Sequence, residues 1–199
     1  MAWLDVLRGI MPPGPGAGDV VDWDVIESSW GTRFPSDYKE FVSVYGQGSV
    51  GDYLALLLPE RNLGDESPVE GMSAETRNAR HACKAAPSHE LQPSSLVAWG
   101  VDASADIICW SMAGGDPDGW FMAVWNQDDA RWREYSCGMV EFLCRVFRAD
   151  FDECPLGSLS LWGNESPKFV HRDEERRLRV AGMDPWSGGP DPFAGMFGE

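Results

Sequence analysis

The chain has 199 residues, which is enough for one domain of ordinary size with extensions and too few for two full domains. Its 16 Lys and Arg oppose 32 Asp and Glu, so the net charge of −16 argues against a nucleic-acid or anionic-membrane partner and is compatible with a basic protein partner. With 43% hydrophobic residues it can build a sizeable core, but its apolar runs are far shorter than the roughly 20 residues of a membrane-spanning helix.

The N-terminal residues predict a short amphipathic segment followed by a linker. Asp5 and Arg8 interrupt the apolar stretch of residues 1–11, so we expect no secretory signal there. Residues 12–18 are rich in Pro and Gly and are not expected to continue a helix. The sequence therefore predicts an N-terminal segment and linker over residues 1–18, before a single domain over residues 19–150.

A pair of helices is predicted to open this domain. The first runs from Val20 to Trp30, with Asp19 as the N-cap and a glycine at the C-terminal end. The second begins at Ser36, shows the apolar spacing i, i+3, i+4, i+7, and ends at Gly46. A strand over 50–58 and a weaker helix over 73–86, stopped by Pro87, follow.

Several strands and a closing helix are predicted next. Strands are expected over 96–101, 106–112, 119–126 and 131–135, and the helix over 139–147. The strands over 106–112 and 119–126 are apolar on both faces, which indicates central strands covered on each side. Helices followed by a largely antiparallel sheet and a closing helix predict an α+β domain with Pro/Gly-rich termini.

The C-terminal part divides into an extension over 151–183 and a flexible Gly/Pro-rich tail over 184–199. Between Arg172 and Arg179, four arginines alternate with acidic residues, which indicates a solvated helix with internal ion pairs. The role of these two segments is left open.

Motifs of catalysis or metal binding are scarce. The three histidines, His81, His89 and His171, lack the spacing of metal ligands, and the five cysteines include no Cys-x-x-Cys pair. We expect buried free thiols in a reducing cytoplasm, no cofactor and no metal. The tryptophans of the predicted strands could form an aromatic platform, but core filling is the simpler interpretation because their neighbours are also apolar.

The charge pattern is more informative than any motif. The stretch 85–130 contains no Lys or Arg but seven acidic residues, several of them at predicted strand ends and loops. A surface of one sign would steer a basic partner, whereas a solvated acidic surface would only aid solubility. The candidate partner-binding residues are Asp102, Asp106, Asp116, Asp118, Trp120, Asp128 and Asp129.

The segment from Trp23 to Pro59 resembles the opening signature of the SUKH superfamily. Helix, glycine, Phe-Pro, helix and Tyr-Gly follow one another there at close spacing. The residues that carry the resemblance are Ile26, Trp30, Gly31, Phe34, Pro35, Tyr38, Phe41, Tyr45, Gly46 and Gly48. The resemblance extends over roughly residues 20–148, although Trp30 stands where a smaller aliphatic residue is usual. It implies that these motif residues fix the helix pair and need not touch a partner.

That superfamily includes bacterial immunity proteins of polymorphic toxin systems and fungal cell-wall-assembly regulators. The resemblance therefore implies an α+β fold and a binding role without catalysis. The first hypothesis is a cytoplasmic immunity protein that occludes the active site of a cognate toxin with a basic surface. The alternatives are an adaptor or regulatory scaffold that docks through the termini, and a small enzyme, which a bound divalent metal would favour.

Overall fold

Six helices and seven strands form the fold of the described residues. The computed structural model describes residues 2–60, 71–86, 91–112 and 114–192. The helices are α1 (Trp3–Ile10), α2 (Trp23–Trp30), α3 (Ser36–Val44), α4 (Met72–Ala85), α5 (Met139–Arg148) and α6 (Arg172–Val180). The strands are β1 (Gly48–Val50), β2 (Leu54–Leu56), β3 (Leu96–Asp102), β4 (Ile107–Ser111), β5 (Phe121–Asn126), β6 (Arg131–Tyr135) and β7 (Phe169–His171). The predicted α+β class, with its antiparallel sheet and closing helix, is confirmed.

All strands join one antiparallel sheet in the order β6-β5-β4-β3-β2-β1-β7. Strands β1 to β6 form a meander, and β7 returns late in the chain to pair with the outer edge of β1. The turns β1–β2, β3–β4 and β5–β6 therefore lie at one end of the sheet. The β4–β5 connection lies at the opposite end, together with the start of α5.

The sheet is covered on both faces, as the apolar patterns of β4 and β5 predict. One face carries the main core, where side chains such as Phe41 and Phe142 from the helices meet Trp99 and Trp110 of the strands. The other face packs against α4, which supplies small side chains such as Cys83. Val97 and Trp99, two positions apart in β3, both face the main core, and a β-bulge interrupts the pairing of β3 with β4 between Ala98 and Gly100.

The first helix of the predicted pair begins three residues later than expected. Its N-cap is Asp22, whose Oδ1 accepts from the backbone N–H of Val25 (3.2 Å), so the predicted cap at Asp19 is wrong. Asp19 Oδ2 instead accepts from the backbone N–H of Gln47 (2.7 Å) and lies 3.3 Å from His171 Nε2. Gly31 ends the helix in the left-handed conformation, as predicted.

The single strand predicted over 50–58 is wrong, because the chain folds there into the β1–β2 hairpin. Residues 51–53 form the turn, with Gly51 at a φ of +57°, a conformation that glycine adopts without strain. The local signal for this break is Gly51-Asp52, two turn-forming residues between Val50 and the apolar run that begins at Tyr53.

Helix α1 belongs to the main core. Leu7 and Met11 are fully buried, and the hydroxyl of Tyr45 donates to the carbonyl oxygen of Met11 (2.7 Å). The Pro/Gly-rich stretch that follows thus connects two parts of one packed unit.

Residues beyond 150 also pack against the sheet. Leu156, Leu161 and Phe169 are buried in the main core, and no sequence pattern predicted β7. Helix α6 has no buried residue and carries the predicted ion pairs, Arg177 with Glu174 and Arg179 with Glu175. Lys168 Nζ donates to the carbonyl oxygens of Pro185 (2.7 Å) and Trp186 (3.1 Å), both in the predicted tail. Pro87, His89, Glu90 and the tail residues 193–199 lie outside the described residues.

Candidate protein-binding surface

The acidic loop between β4 and β5 caps a helix that lies far away in the sequence. Backbone N–H groups of a helical first turn have no partner within the helix, and Pro35 at the N-cap of α3 offers no side-chain acceptor. Asp118 Oδ1 fills this role by accepting from the backbone N–H of Ser36 (2.6 Å). Asp116 in turn accepts from the backbone N–H of Asp118 (3.2 Å), and both carboxylates are exposed.

Asp37 caps α5 in the same manner. The N-cap of α5 is Gly138, which has no side chain, and Asp37 Oδ2 accepts from the backbone N–H of Val140 (3.1 Å). Burial raises the pKa of the Asp37 carboxyl above its ordinary value, and the charge of Asp118 adds to the rise, while the hydrogen bond from Val140 opposes it. Sequence reasoning missed Asp37, because its only signal is an acidic residue in the first turn of a helix.

Together these groups form a cleft of about 210 Å³ at the N-terminal ends of α3 and α5. We call it the capping cleft, and it is lined by Pro35, Ser36, Asp37, Trp110, Pro117, Asp118, Trp120 and Gly138. Trp120 is only 5% exposed, and its ring centroid lies 6.4 Å from that of Trp110. It therefore forms a wall of the cleft and does not project from the surface as an anchor.

Asp128 and Asp129 lie at the opposite end of the sheet, in the β5–β6 turn. Both are exposed, and Asp129 forms ion pairs with Arg131 and Arg133. Glu153 pairs with the same two arginines. Because the arginines are shared between two carboxylates, they compensate the charge of Asp129 only in part. The six residues of β5 span roughly 20 Å between this turn and the β4–β5 loop. The exposed candidate residues therefore form two separate acidic patches.

Asp102 and Asp106 are buried and hold loops together. Asp106 is fully buried, and its carboxylate accepts from Asn126 Nδ2 (3.1 Å) and from the backbone N–H groups of Gln127 (2.9 Å) and Gly157 (2.6 Å). Asp102 Oδ1 accepts from the backbone N–H groups of Ser104 and Asp106, and burial raises the pKa of its carboxyl. Asp102 and Asp106 were expected to face a partner, but both are buried. Asp106 is accessible neither to water nor to a partner.

The motif residues of the helix pair make internal contacts. Phe34 packs within 6.1 Å, between ring centroids, of the aromatic rings of Trp23, Trp30, Tyr38 and Trp110. The hydroxyl of Tyr38 donates to the carbonyl oxygen of Leu57 (2.7 Å), which ties α3 to the sheet. Trp30 Nε1 donates to the carbonyl oxygen of Glu60 (2.8 Å), a contact that a smaller aliphatic residue could not make.

The rest of the motif shapes the turn between α3 and β1. Phe41 and Tyr45 stack with ring centroids 4.7 Å apart, and Ile26 and Pro35 are buried. Gly46 has a φ of +74°, and a side chain there would meet the carboxylate of Asp19 and the ring of His171. Gly48 lies against β7, where a Cβ atom would overlap the carbonyl oxygen of Val170.

Other candidate chemistry is absent from the part of the chain that the structure describes. There, no group of three His, Cys, Asp or Glu side chains is placed to hold a metal ion, and no helix is long and apolar enough to cross a membrane. All five cysteines are free thiols, and burial raises the pKa of Cys144 to about 11. Trp110, Trp120 and Trp125 fill the core, as the simpler interpretation of the sequence predicts.

Comparison with protein families identifies a related family. The family model described as SUKH_6, SMI1-KNR4 cell-wall, matches residues 21–143. The matched region runs from just before α2 into α5, so it includes the helix pair, the capping cleft and strands β1 to β6. The chain has no significant match among curated proteins or among solved structures.

Proposed function

The chain belongs to the SUKH_6 family of SMI1-KNR4 cell-wall proteins, and from this membership we propose that it is an immunity protein that binds and neutralises a cognate toxin. The wider SUKH group includes polymorphic-toxin immunity proteins as well as SMI1/KNR4-like proteins. The proposed action is occlusion of the toxin's active site by binding, in the cytoplasm and without catalysis.

The observation that carries the proposal is the set of exposed carboxylates on the two acidic patches. Asp116, Asp118 and Asp128 are exposed, and no ion pair is found for them among the described residues. Exposed unpaired charges of one sign accelerate the encounter with a partner of opposite sign. Toxins that attack nucleic acid present basic clefts, which such a surface complements.

The proposal is tested by capturing the partner and measuring how it associates. We expect tagged protein, incubated with lysate of the source cells at low salt, to retain one basic protein in stoichiometric amount. That protein should arrest growth when expressed alone and be harmless when this chain is coexpressed. A captured partner that does not arrest growth would contradict the immunity function.

The association rate then tests the role of charge. We expect it to fall at least about tenfold between 50 and 500 mM salt, because screening removes long-range attraction. Paired substitutions separate the patches: Asp116→Asn with Asp118→Asn, and Asp128→Asn with Asp129→Asn. Asp24→Asn with Glu40→Gln is the matched control, since it removes the same charge from exposed helical positions. An association rate that does not respond to salt would refute electrostatic steering.

The second candidate function is an adaptor or regulatory scaffold, which the cell-wall description of the family favours. Docking through the C-terminal tail distinguishes it from a toxin blocker. Because Lys168 holds Pro185 and Trp186, deletion from residue 184 would also disturb the packed domain. Deleting residues 193–199 is the sharper experiment: an adaptor should lose its partners, whereas a toxin blocker that uses the folded domain should keep its partner.

A further inference from the structure

The side chain of His171 lies where three distant segments of the chain meet. His171 ends β7, is 8% exposed and immediately precedes α6. Its Nε2 lies 3.3 Å from Asp19 Oδ2, an oxygen that also accepts from the backbone N–H of Gln47 (2.7 Å). Its Nδ1 accepts from the backbone N–H of Asp173 (3.2 Å), which makes His171 the N-cap of α6. Both ring nitrogens are therefore engaged.

These two contacts determine where the proton of the neutral ring lies. Nδ1 faces a backbone N–H group, which can only donate, so Nδ1 carries no proton. The single ring proton lies on Nε2, from which it is donated to the carboxylate of Asp19. The usual N-cap residues accept through an oxygen. A histidine cap differs from them because it stops being an acceptor when it gains a second proton.

We propose that protonation of His171 uncaps α6 and releases its first turn. The imidazolium ion carries a proton on both nitrogens, so Nδ1–H and the backbone N–H of Asp173 become two donors that face each other. The positive end of the helix dipole also repels the new charge. Asp19 attracts that charge and keeps the ring in place, so the contact that breaks is the one to α6. The inference goes beyond the proposed function and does not rest on it.

The charged groups around His171 set the balance of its titration. Asp19 and the acidic residues 173–175 in the first turn of α6 favour protonation, whereas Arg172 and the helix dipole oppose it. The turn between α3 and β1 contributes Gly46 and Gln47, which are uncharged. Histidine changes its charge between pH 5 and 8. The cap is thus present at the upper end of this range and is lost as the pH falls.

Helix α6 is suited to such a release because it buries no side chain. Besides the cap, Arg172 donates to Gln47 Oε1 (3.1 Å) at an exposed position, and Glu175 lines a small cleft over the first three strands. Elements with few buried apolar contacts open locally at low cost. Release of the helix makes the strands on which it lies, β1 and β7, accessible.

The test follows the 15N- and 13C-labelled full chain by NMR from pH 7.5 to pH 5.5. At pH 7.5 we expect the His171 ring to carry its proton on Nε2 and none on Nδ1. As the ring titrates, the backbone signals of residues 172–175 should move toward unfolded values. The ratio of helical to frayed first turn should fall about fivefold, the equivalent of one N-cap. The signals of α5 should stay unchanged.

Variants separate the titration of His171 from that of other groups. His171→Asn keeps an oxygen that can cap α6 but does not titrate, so the start of α6 should no longer respond to pH. His81→Asn is the matched control, because it removes an exposed histidine from α4 and should leave the response intact. Asp19→Asn removes the attracting carboxylate and should shift the release to lower pH. A melting temperature close to that of the unsubstituted protein shows that each variant is folded.

Three results would overturn the inference. They are a proton on Nδ1 in the neutral ring, unchanged signals of residues 172–175 while His171 titrates, and an undiminished pH response in His171→Asn. The first two are measured on the unsubstituted protein, so they decide the matter even if a variant fails to fold. Since no partner is needed, the outcome is independent of the immunity function.

Discussion

At the scale of single residues, the same side-chain type performs different tasks according to its burial. Asp128 is an exposed carboxylate in a turn, whereas Asp106, at the start of the neighbouring hairpin, is fully buried and accepts three hydrogen bonds. A buried carboxylate is tolerated because donors replace the water it has lost. Burial therefore decides which acidic residues of the stretch 85–130 can contact a partner.

Asp106→Ala is predicted to destabilise the protein by about 3 kcal/mol, because buried donors lose their acceptor. Three donors are affected: Asn126 Nδ2 and the backbone N–H groups of Gln127 and Gly157. Urea denaturation followed by tryptophan fluorescence gives the free energy of unfolding. The matched control Asp128→Ala should change it by less than about 0.5 kcal/mol. A loss below 1 kcal/mol for Asp106→Ala would contradict a structural role.

The raised pKa of Asp37 predicts a pH dependence of stability. Because the pKa is higher in the folded than in the unfolded state, the contribution of Asp37 to stability is largest below the ordinary pKa of aspartate and is lost as the pH rises through the raised value. Asn cannot ionise, so the stability of Asp37→Asn relative to the native residue should improve from pH 4 to pH 7.

Melting temperatures of both proteins at pH 4, 5, 6 and 7 check this. Asp24→Asn, at an exposed position in α2, is measured alongside as the matched control. A variant that becomes relatively less stable toward pH 7 would show that the hydrogen bond from Val140 outweighs the burial of the carboxyl.

At the scale of elements, glycine positions show where two elements approach most closely. Gly48 in β1 lies against β7, and a Cβ atom there would overlap the carbonyl oxygen of Val170. Gly9 in α1 has open space where its Cβ atom would be. The same substitution at the two positions should therefore have opposite effects.

Gly48→Ala is predicted to destabilise the protein by roughly 2–3 kcal/mol, because β7 must move away from β1. Gly9→Ala should stabilise it by about 0.5–1 kcal/mol, because alanine has the higher helix propensity. Chemical denaturation of both variants measures these differences. Equal stability of Gly48→Ala and the unsubstituted protein would show that β7 is not held against β1.

At the scale of the whole molecule, both terminal segments complete the sheet and core of the central domain. Residues from α1 and from the region after 150 are buried with those of the matched family region. Leu156, Leu161 and Phe169 each bury apolar area, and each such side chain contributes about 1.5–3 kcal/mol.

A chain ending at residue 150 is therefore predicted to melt more than about 10 °C below the full chain, or to lose cooperative unfolding. A chain ending at residue 171 is the matched control: it keeps β7 and the buried leucines but lacks α6, which has no buried residue. The melting temperature of the chain ending at residue 171 should fall much less. Equal melting temperatures for the full chain and the chain ending at 150 would refute this account and favour an independent domain over 19–150.

Most helices and strands of the family region follow from local patterns in the sequence. The spacing of Tyr38, Phe41 and Tyr45 predicted α3, and the doubly apolar runs predicted the covered central strands β4 and β5. These patterns succeed because buried positions recur at a fixed spacing along a helix or strand, and this spacing is visible in the local sequence. The net charge likewise depends on composition alone.

The tertiary structure determined the features that no periodic pattern in the sequence indicates. It brought β7 beside β1, buried Asp102 and Asp106, and placed Asp37 and Asp118, 81 positions apart, in one cleft. Each of these features depends on contacts between residues distant in the chain, and such contacts leave no local pattern. The sequence by itself thus determined the family, the fold class and the acidic character, whereas only the folded chain determined which of its carboxylates can meet a partner.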